Sequence, residues 1–249
     1  MLRVPRQQGR RLRQRPAGRL AESGAGWLSH GAAAELLAAG EITVPGVVAG
    51  DVDAAVTAAA RCGYPVAVKT ADPLAVHRTE QGLVRTGIGS ATELADVLGS
   101  WQERQGAFPV VVQPMCSGTE IALGIVRDPV LGPLIMVGAG GVNVDVWDDR
   151  TWLLPPVSPA DASRAVRSLR VWRLLRGHRG APRGDVIGLE RMILTLSRLA
   201  LEVPEVAELD LNPVLVGPGG CSPVDVKVRL AGPVAPEEPA PRQLREVLS

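Results

Sequence analysis

The sequence predicts a mixed α+β (α/β) protein, and three observations carry that prediction. Up to about residue 108, capped helical segments alternate with short β-branched runs. From Pro109 onward, short strands are punctuated by turn residues at a spacing that suits an antiparallel sheet rather than βαβ units. The length of 249 residues suits one large domain or two small lobes sharing a cleft. A hydrophobic fraction of 46% excludes a disordered chain, and no stretch approaches the roughly 20 apolar residues of a bilayer span.

The elements follow from local signals. Gly31 to Gly40, with Leu36 and Leu37 among alanines, reads as a short helix, and Ile42 to Val48 as an extended segment. Asp51 can accept from the orphan N–H groups of a helix running to Arg61, with Val52, Val56 and the alanines as its apolar face and Gly63 as its stop. Pro65 to Lys69 is a short β-branched run, a buried strand with Lys69 at its far end. A polar loop from Thr70 to Gly82 contains His77, and Leu83 to Ile88 is the next strand. Ser90-Ala-Thr-Glu93 has the spacing of a capping box and opens a helix to about Arg104.

Strands are then expected at Val110–Pro114, Glu120–Arg127, Leu134–Val137, Val142–Val146 and Trp152–Leu154. Ser158-Pro159 starts a helix with Ser at the cap and Pro at the first position. A further helix from Asp185 to about Glu202 puts Leu189, Met192, Ile193, Leu196 and Leu199 on one face. Val206–Val216 and Val224–Leu230 form a hairpin across the turn Gly217-Pro-Gly-Gly220. Residues 1–25 read as a basic tail or linker, with seven Arg and no acid in the first twenty, and residues 231–249 as a Pro/Glu-rich tail.

Composition narrows the partners. The 27 basic and 26 acidic residues nearly cancel and aromatics are only 3%, so neither a nucleic-acid binder nor a membrane-surface binder is expected. Cys62, Cys116 and Cys221 are odd in number and widely spaced, which reads as buried free thiols in a reducing cytosol rather than a disulfide framework or zinc site. Of the 27 basic residues only Lys69 and Lys227 are lysines. A compact ammonium suits a point contact to phosphate in a way the planar guanidinium does not.

Three constellations could carry chemistry. In a strand, residues two apart face one side, so Asp210 and Asn212 project together and the hairpin can bring Asp225 alongside. Two carboxylates and an amide carbonyl suit magnesium; the bland reading is a hairpin whose acids face solvent. Lys69 could bury its stem and offer its ammonium to a nucleotide phosphate, or snorkel at the surface. His77, as a loop imidazole, could be nucleophile, base, phosphoryl acceptor or bystander, whereas His30 reads as a surface residue. Gly138-Ala-Gly-Gly141 is followed by alternating residues rather than a helix start, so it reads as a backbone turn passing close to a ligand or another strand.

Seven motifs, in order, resemble the ATP-grasp domain of the ADP-forming acyl-CoA synthetases, which include acetate–CoA ligases and the succinyl-CoA synthetase β subunit. They are Gly63-Tyr-Pro-Val-Ala-Val-Lys69, Val112-Gln-Pro-Met115, Gly118-Thr-Glu120, Asp128-Pro-Val-Leu-Gly-Pro133, Gly138-Ala-Gly-Gly141, Leu175-Arg-Gly-His-Arg-Gly180 and Glu208-Leu-Asp-Leu-Asn-Pro213. The resemblance implies an ATP-grasp fold over 26–230, with lobes of about 26–108 and 109–230 and a nucleotide cleft between them. It implies ATP/ADP and Mg2+ as cofactors. Lys69 would contact phosphates; Val112, Gln113, Pro114 and Met115 would lie beside adenine; Glu120 would belong to the nucleotide site. Asn212 and Asp225, with Asp210 beside them, would hold the metal. His77 would relay phosphate to the nucleotide, working with a CoA-binding α-type subunit or domain that brings the carboxylic acid or acyl-CoA.

The resemblance has departures. The family's His-Lys-Ser-Asp-x-Gly-Gly loop here reads His77-Arg-Thr-Glu-Gln-Gly-Leu83, and Asp145 stands where a Glu is usual. Those changes give a second reading, a noncatalytic nucleotide- or acyl-CoA-sensing module like that attached to some protein lysine acetyltransferases. A stand-alone carboxylate–amine ligase is a third, for which the sequence offers no separate substrate lobe.

Overall fold

The computed structural model describes residues 25–73, 82–105, 108–141 and 148–231. His77, Asp145, the strand expected at Val142–Val146 and nearly all of both expected tails lie outside the described residues.

Two antiparallel sheets organise the chain. The smaller has four strands, β2 (Val47–Ala49), β3 (Val66–Thr70), β4 (Val84–Ile88) and β5 (Val110–Pro114), in the order β2-β5-β3-β4. The larger has seven: β1 (Gly26–Trp27), β6 (Thr119–Asp128), β7 (Gly132–Ala139), β8 (Arg150–Leu153), β9 (Val206–Gly217), β10 (Gly220–Pro223) and β11 (Val226–Leu230). Its order is β1-β11-β9-β6-β7-β8, with β10 also paired to β9. Helices α2 (Val52–Cys62) and α3 (Ala91–Gln105) belong to the smaller sheet. Helices α1 (His30–Ala39), α4 (Pro159–Ser168) and α6 (Val186–Glu202) cover the larger one, with the short α5 (Trp172–Leu175) between the last two.

Each sheet has its own core, as two faces that must each bury an apolar side require. Ala55, Ala58, Ala59, Leu94 and Leu98 meet Val66, Val68, Val110 and Val112 in one; Leu36, Leu37, Leu189, Ile193 and Leu196 meet Ile121, Leu123, Leu209 and Leu211 in the other. Alanines rather than Val52 and Val56 make the buried stripe of α2, and the two valines pack at its margin. Asp51 Oδ1 accepts from Ala54 N at 2.8 Å. The capping box of α3 is offset by one residue. Ser90 Oγ accepts from Glu93 N at 3.2 Å, but the Glu93 carboxylate accepts from Gly89 N at 2.8 Å. The box at α4 is complete between Ser158 and Asp161.

Three sequence expectations change. The extended segment Ile42 to Val48 pairs only over Val47–Ala49. His30, read as a surface residue, is buried at the start of α1. The lobe division near residue 108 also shifts. Leu28, Ala33, Leu36, Leu37, Ile42 and Val44 belong to the larger core, whereas β5 is interior to the smaller sheet. The reason is that β5 is apolar on both faces and pairs on both edges, a position only the middle of a sheet provides.

Cys62, Cys116 and Cys221 are all free thiols, each half-buried rather than buried as the sequence suggested. Burial, and secondarily Asp185, pushes the Cys221 thiol up to about 12 and removes it from thiolate chemistry near neutrality. Among the described residues no helix is long and apolar enough to cross a membrane.

Gly140 fixes how closely β7 ends against β6. Its N–H donates to Glu120 O at 2.9 Å, and a Cβ there would sit 2.7 Å from the Ile121 carbonyl carbon and 2.8 Å from the Ile121 nitrogen. Backbone cannot rotate away as a side chain can. Gly140→Ala is expected to cost about 2 kcal/mol in chemical denaturation, the range of overpacked sites.

Candidate functional site

Strand alternation aims the first two residues. Val66 and Val68 point into the helix-covered core, so Lys69 points to the opposite face together with its register partner Val111. Gln113 shares that face, opposite Ala67. Lys69 is 5% exposed and Gln113 4% exposed, and both meet the larger sheet. Lys69 Nζ donates to Val224 O at 2.7 Å and to Asp225 Oδ1 at 2.8 Å. Gln113 Nε2 donates to Pro45 O at 2.7 Å and to the same Val224 O at 3.1 Å.

The hairpin supplies the acids. Pro223 lies opposite Val214 and Val226 opposite Leu211, so the unbroken register places Asp225 opposite Asn212; Val224 N donates to Pro213 O at 3.0 Å. Lys227 faces Asp210, and Arg229 faces and ion-pairs with Glu208 at 3.1 Å. Leu209 and Leu211 enter the core, which turns Glu208 and Asp210 to the other side. The pairing of β9 with β6 slips between Ile121 and Leu123, so Asn212-Pro213 carries an extra residue opposite Ala122. Such a bulge bends a strand and re-aims its side chains.

A glycine then completes the ring of contacts. Asn212 Oδ1 accepts from Gly141 N at 3.1 Å. Gly141 has φ +72, and the space its missing side chain leaves is filled by the Glu120 carboxylate. The Gly-rich turn therefore passes close to another strand, as its sequence context indicated. Gly141 itself was not singled out as a site residue, although its place in the turn was the available signal.

The sequence-derived set is only partly brought together. Lys69, Gln113 and Asp225 converge; Asp210 and Asn212 lie on the strand facing Asp225 and Lys227; Glu120 joins Asn212 through Gly141. Val112 differs, because its fully buried side chain belongs to the helix-side core and points away from Lys69. Gln113 also differs, since its amide nitrogen is already engaged by two carbonyls. Pro114 is half-buried and Met115 exposed, on the crossing from β5 to β6. A cavity of about 480 Å³ lies beside this crossing, lined by Ser117, Glu120, Val171, Leu174, Pro182 and Val216 among others. Of the candidate residues, only Glu120 reaches it.

Electrostatics single out Asp210. Burial, first, then the neighbouring Asp225 and Glu208 push its carboxyl up to about 6, with Lys227 opposing them. The folded value lies above the unfolded one, so the folded state holds the extra proton between about pH 4 and 6. This contribution to stability is fully present below pH 4 and lost as the pH rises through 6. Asp210→Asn is therefore expected to match the parent near pH 4 and exceed it by about 2 kcal/mol at pH 7, read from urea midpoints across that window.

Among the described residues no three His, Cys, Asp or Glu side chains cluster as a metal-binding group. The oxygen set is instead two carboxylates, Asp210 and Asp225, with the Asn212 amide. The negative charge of Asp225 raises the proton affinity of Asp210, so a dication would relieve repulsion between them, and hard oxygen donors fit a hard dication.

A profile of the ATP-grasp domain matches residues 19–230. The chain belongs to the ATP-grasp family. It is 36% identical over 190 residues to acetate–CoA ligase [ADP-forming] I of Archaeoglobus fulgidus, covering 74% of this chain and 28% of that protein. It is 28% identical over 191 residues to the acetate–CoA ligase [ADP-forming] I subunit beta of Pyrococcus furiosus, covering 74% of this chain and 82% of that subunit. The chain thus spans little more than a quarter of the Archaeoglobus enzyme. Among solved structures, the dinucleotide-forming acetyl-coenzyme A synthetase 1 of Ca. Korarchaeum cryptofilum, in complex with coenzyme A, Ca-AMPCP and HgCl+, superposes with a TM-score of 0.80 at 27% identity, covering 88% of this chain and all of that one. A second structure of that synthetase, with coenzyme A and Mg-AMPPCP, has its phosphohistidine segment pointing towards the nucleotide binding site (TM-score 0.76, 28% identity, 88% and 100% covered). The two-sheet architecture described above is the ATP-grasp fold.

Proposed function

We propose that this chain is the nucleotide-binding component of an ADP-forming acyl-CoA synthetase, acting with a CoA-binding partner subunit or domain that handles the carboxylic acid or acyl-CoA. The observation that carries the reading is the meeting of Lys69 and Asp225 at 2.8 Å, a buried ammonium from one sheet against a carboxylate from the other. That pairing, with Asp210 and Asn212 on the strand facing Asp225, supports a site in which a phosphate-binding cation and oxygen donors act together.

In this reading Lys69 holds the terminal phosphate of the nucleotide and Glu120 accepts hydrogen bonds from its sugar. Asp225, Asn212 and Asp210 hold Mg2+, which neutralises phosphate charge when bound. Pro114 and Met115 flank the base from the crossing between lobes, and Val112 and Gln113 support them. His77 carries the phosphoryl group. Its N–P bond breaks as a P–O bond forms to the terminal oxygen of ADP, and the imidazole leaves neutral. Relatives that are β subunits support a separate partner.

The test is phosphorylation. Incubation of the chain and a purified CoA-binding subunit with Mg2+ and γ-labelled ATP is expected to give acid-labile, base-stable label, lost in His77→Ala. Mg–nucleotide binding without label in the parent protein would remove the relay and favour the noncatalytic sensing module.

A further inference from the structure

The candidate site already pairs opposite charges. Lys69 is 5% exposed, and its ammonium donates to Asp225 Oδ1 at 2.8 Å and to Val224 O at 2.7 Å. Lys69 is thus bound to the very acid that the nucleotide reading assigns to the metal, while the same reading assigns Lys69 to phosphate. Each ligand would therefore meet a group that already has an opposite charge beside it.

We propose that Lys69 is a specificity-determining residue that makes the site accept a divalent cation and an anionic nucleotide together and discriminate against either alone. The proposal rests on the nucleotide reading above. A dication binding Asp225 by itself would compete with a buried ammonium for the carboxylate and set two positive charges side by side. A polyphosphate binding Lys69 by itself would leave Asp225, with Asp210 on the facing strand, beside added negative charge. When both arrive, the dication replaces Lys69 at Asp225 and the phosphate replaces Asp225 at Lys69, so every charge keeps an opposite neighbour.

Gln113 allows the exchange without an orphaned acceptor. Its amide also donates to Val224 O at 3.1 Å, so that carbonyl keeps a hydrogen bond when Lys69 turns to a phosphate. Pro45 O, at 2.7 Å, holds the amide in place. The Asp225 carboxylate likewise stays oriented, because Oδ1 accepts from Val226 N at 3.1 Å.

The whole chain tests this with its two lysines, which give two resonances when the side-chain amines are 15N-labelled. Lys69→Met assigns them. Mg2+ alone is expected to leave the Lys69 resonance in place at concentrations where Mg2+ plus ADP moves it, and ADP in EDTA to move it only at about tenfold higher concentration or more. By calorimetry, Mg2+ alone is expected to bind Lys69→Met about tenfold tighter than the parent, because the internal competitor is gone. Equal Mg2+ affinity in the two proteins, or equal displacement of the Lys69 resonance by ADP with and without Mg2+, overturns the proposal. Should Lys69→Met not fold, Lys227→Met assigns the resonances and the parent titrations decide the matter. Failure of the nucleotide reading looks different. No nucleotide then binds under any condition, which overturns the joint acceptance, while the Mg2+ comparison still reports the exchange at Asp225.

Discussion

Lys69→Ala is expected to lower the affinity for Mg–ADP by roughly 100-fold, the value of one or two charge-assisted hydrogen bonds made away from water. The ammonium reaches the cleft because strand alternation puts Val66 and Val68 in the helix-side core and Lys69 opposite them. Its stem is buried, so truncation removes the charge and its aim together. Arginine should not rescue. The chain carries 25 Arg and only two Lys, and a forked planar guanidinium cannot replace an ammonium 2.7 Å from Val224 O without displacing the backbone. Calorimetry on the parent, Lys69→Ala and Lys69→Arg checks this. Parent-like affinity in Lys69→Ala would show that the ammonium makes no contact with the phosphates.

Asp225→Ala carries the second large effect, on stability. Removing the carboxylate leaves a 5%-exposed ammonium with its charge uncompensated by Asp225 and deprives Val226 N of its acceptor. Breaking a fully buried pair costs about 3–5 kcal/mol; the Asp225 side chain is 28% exposed, so a loss of about 2–4 kcal/mol is expected. Asp225→Asn retains an oxygen for Val226 N and should lose about half as much. Urea unfolding at pH 7 reads both, with an unchanged m-value marking an unchanged extent of unfolding. Indistinguishable midpoints would show that the pair contributes nothing to holding the two sheets together.

Local chemistry made most of the elements legible. Asp51, Ser158 and Asp185 announce helices because a cap is read within three residues, and the periodicity of Leu189 to Leu199 marks a buried face directly. Helix α5 was not legible. Its start is held by the buried Asp149, which accepts from Arg170 N at 2.7 Å and Val171 N at 2.9 Å across 21 and 22 residues. Only the folded chain brings that acid to those amides. The bulge at Asn212-Pro213 is of the same kind, since register against β6 is a property of two strands. At the candidate site, residue types and the two-residue spacing of Asp210 and Asn212 pointed to the chemistry. The diversion of Gln113 to Pro45 and Val224 depends on partners 68 and 111 residues away, and that of the Val112 side chain on which face a strand turns inward. Such partners leave no local signature.

The stretch between Val44 and Val47 leaves the larger core for the smaller sheet, and the stretch between Pro114 and Thr119 returns. These two passages run together, for Val47 pairs with Val112, and Gly46 has no room for a side chain against Val111 and Gln113. Everything from β2 to β5 is thus joined covalently at one doubled joint, with the Lys69–Asp225 pair as a separate contact to the larger sheet. Tilting it need alter torsions in only two adjoining stretches, the economy of a hinge. Exchanging it for the equivalent piece of a relative would likewise involve just two neighbouring splice points.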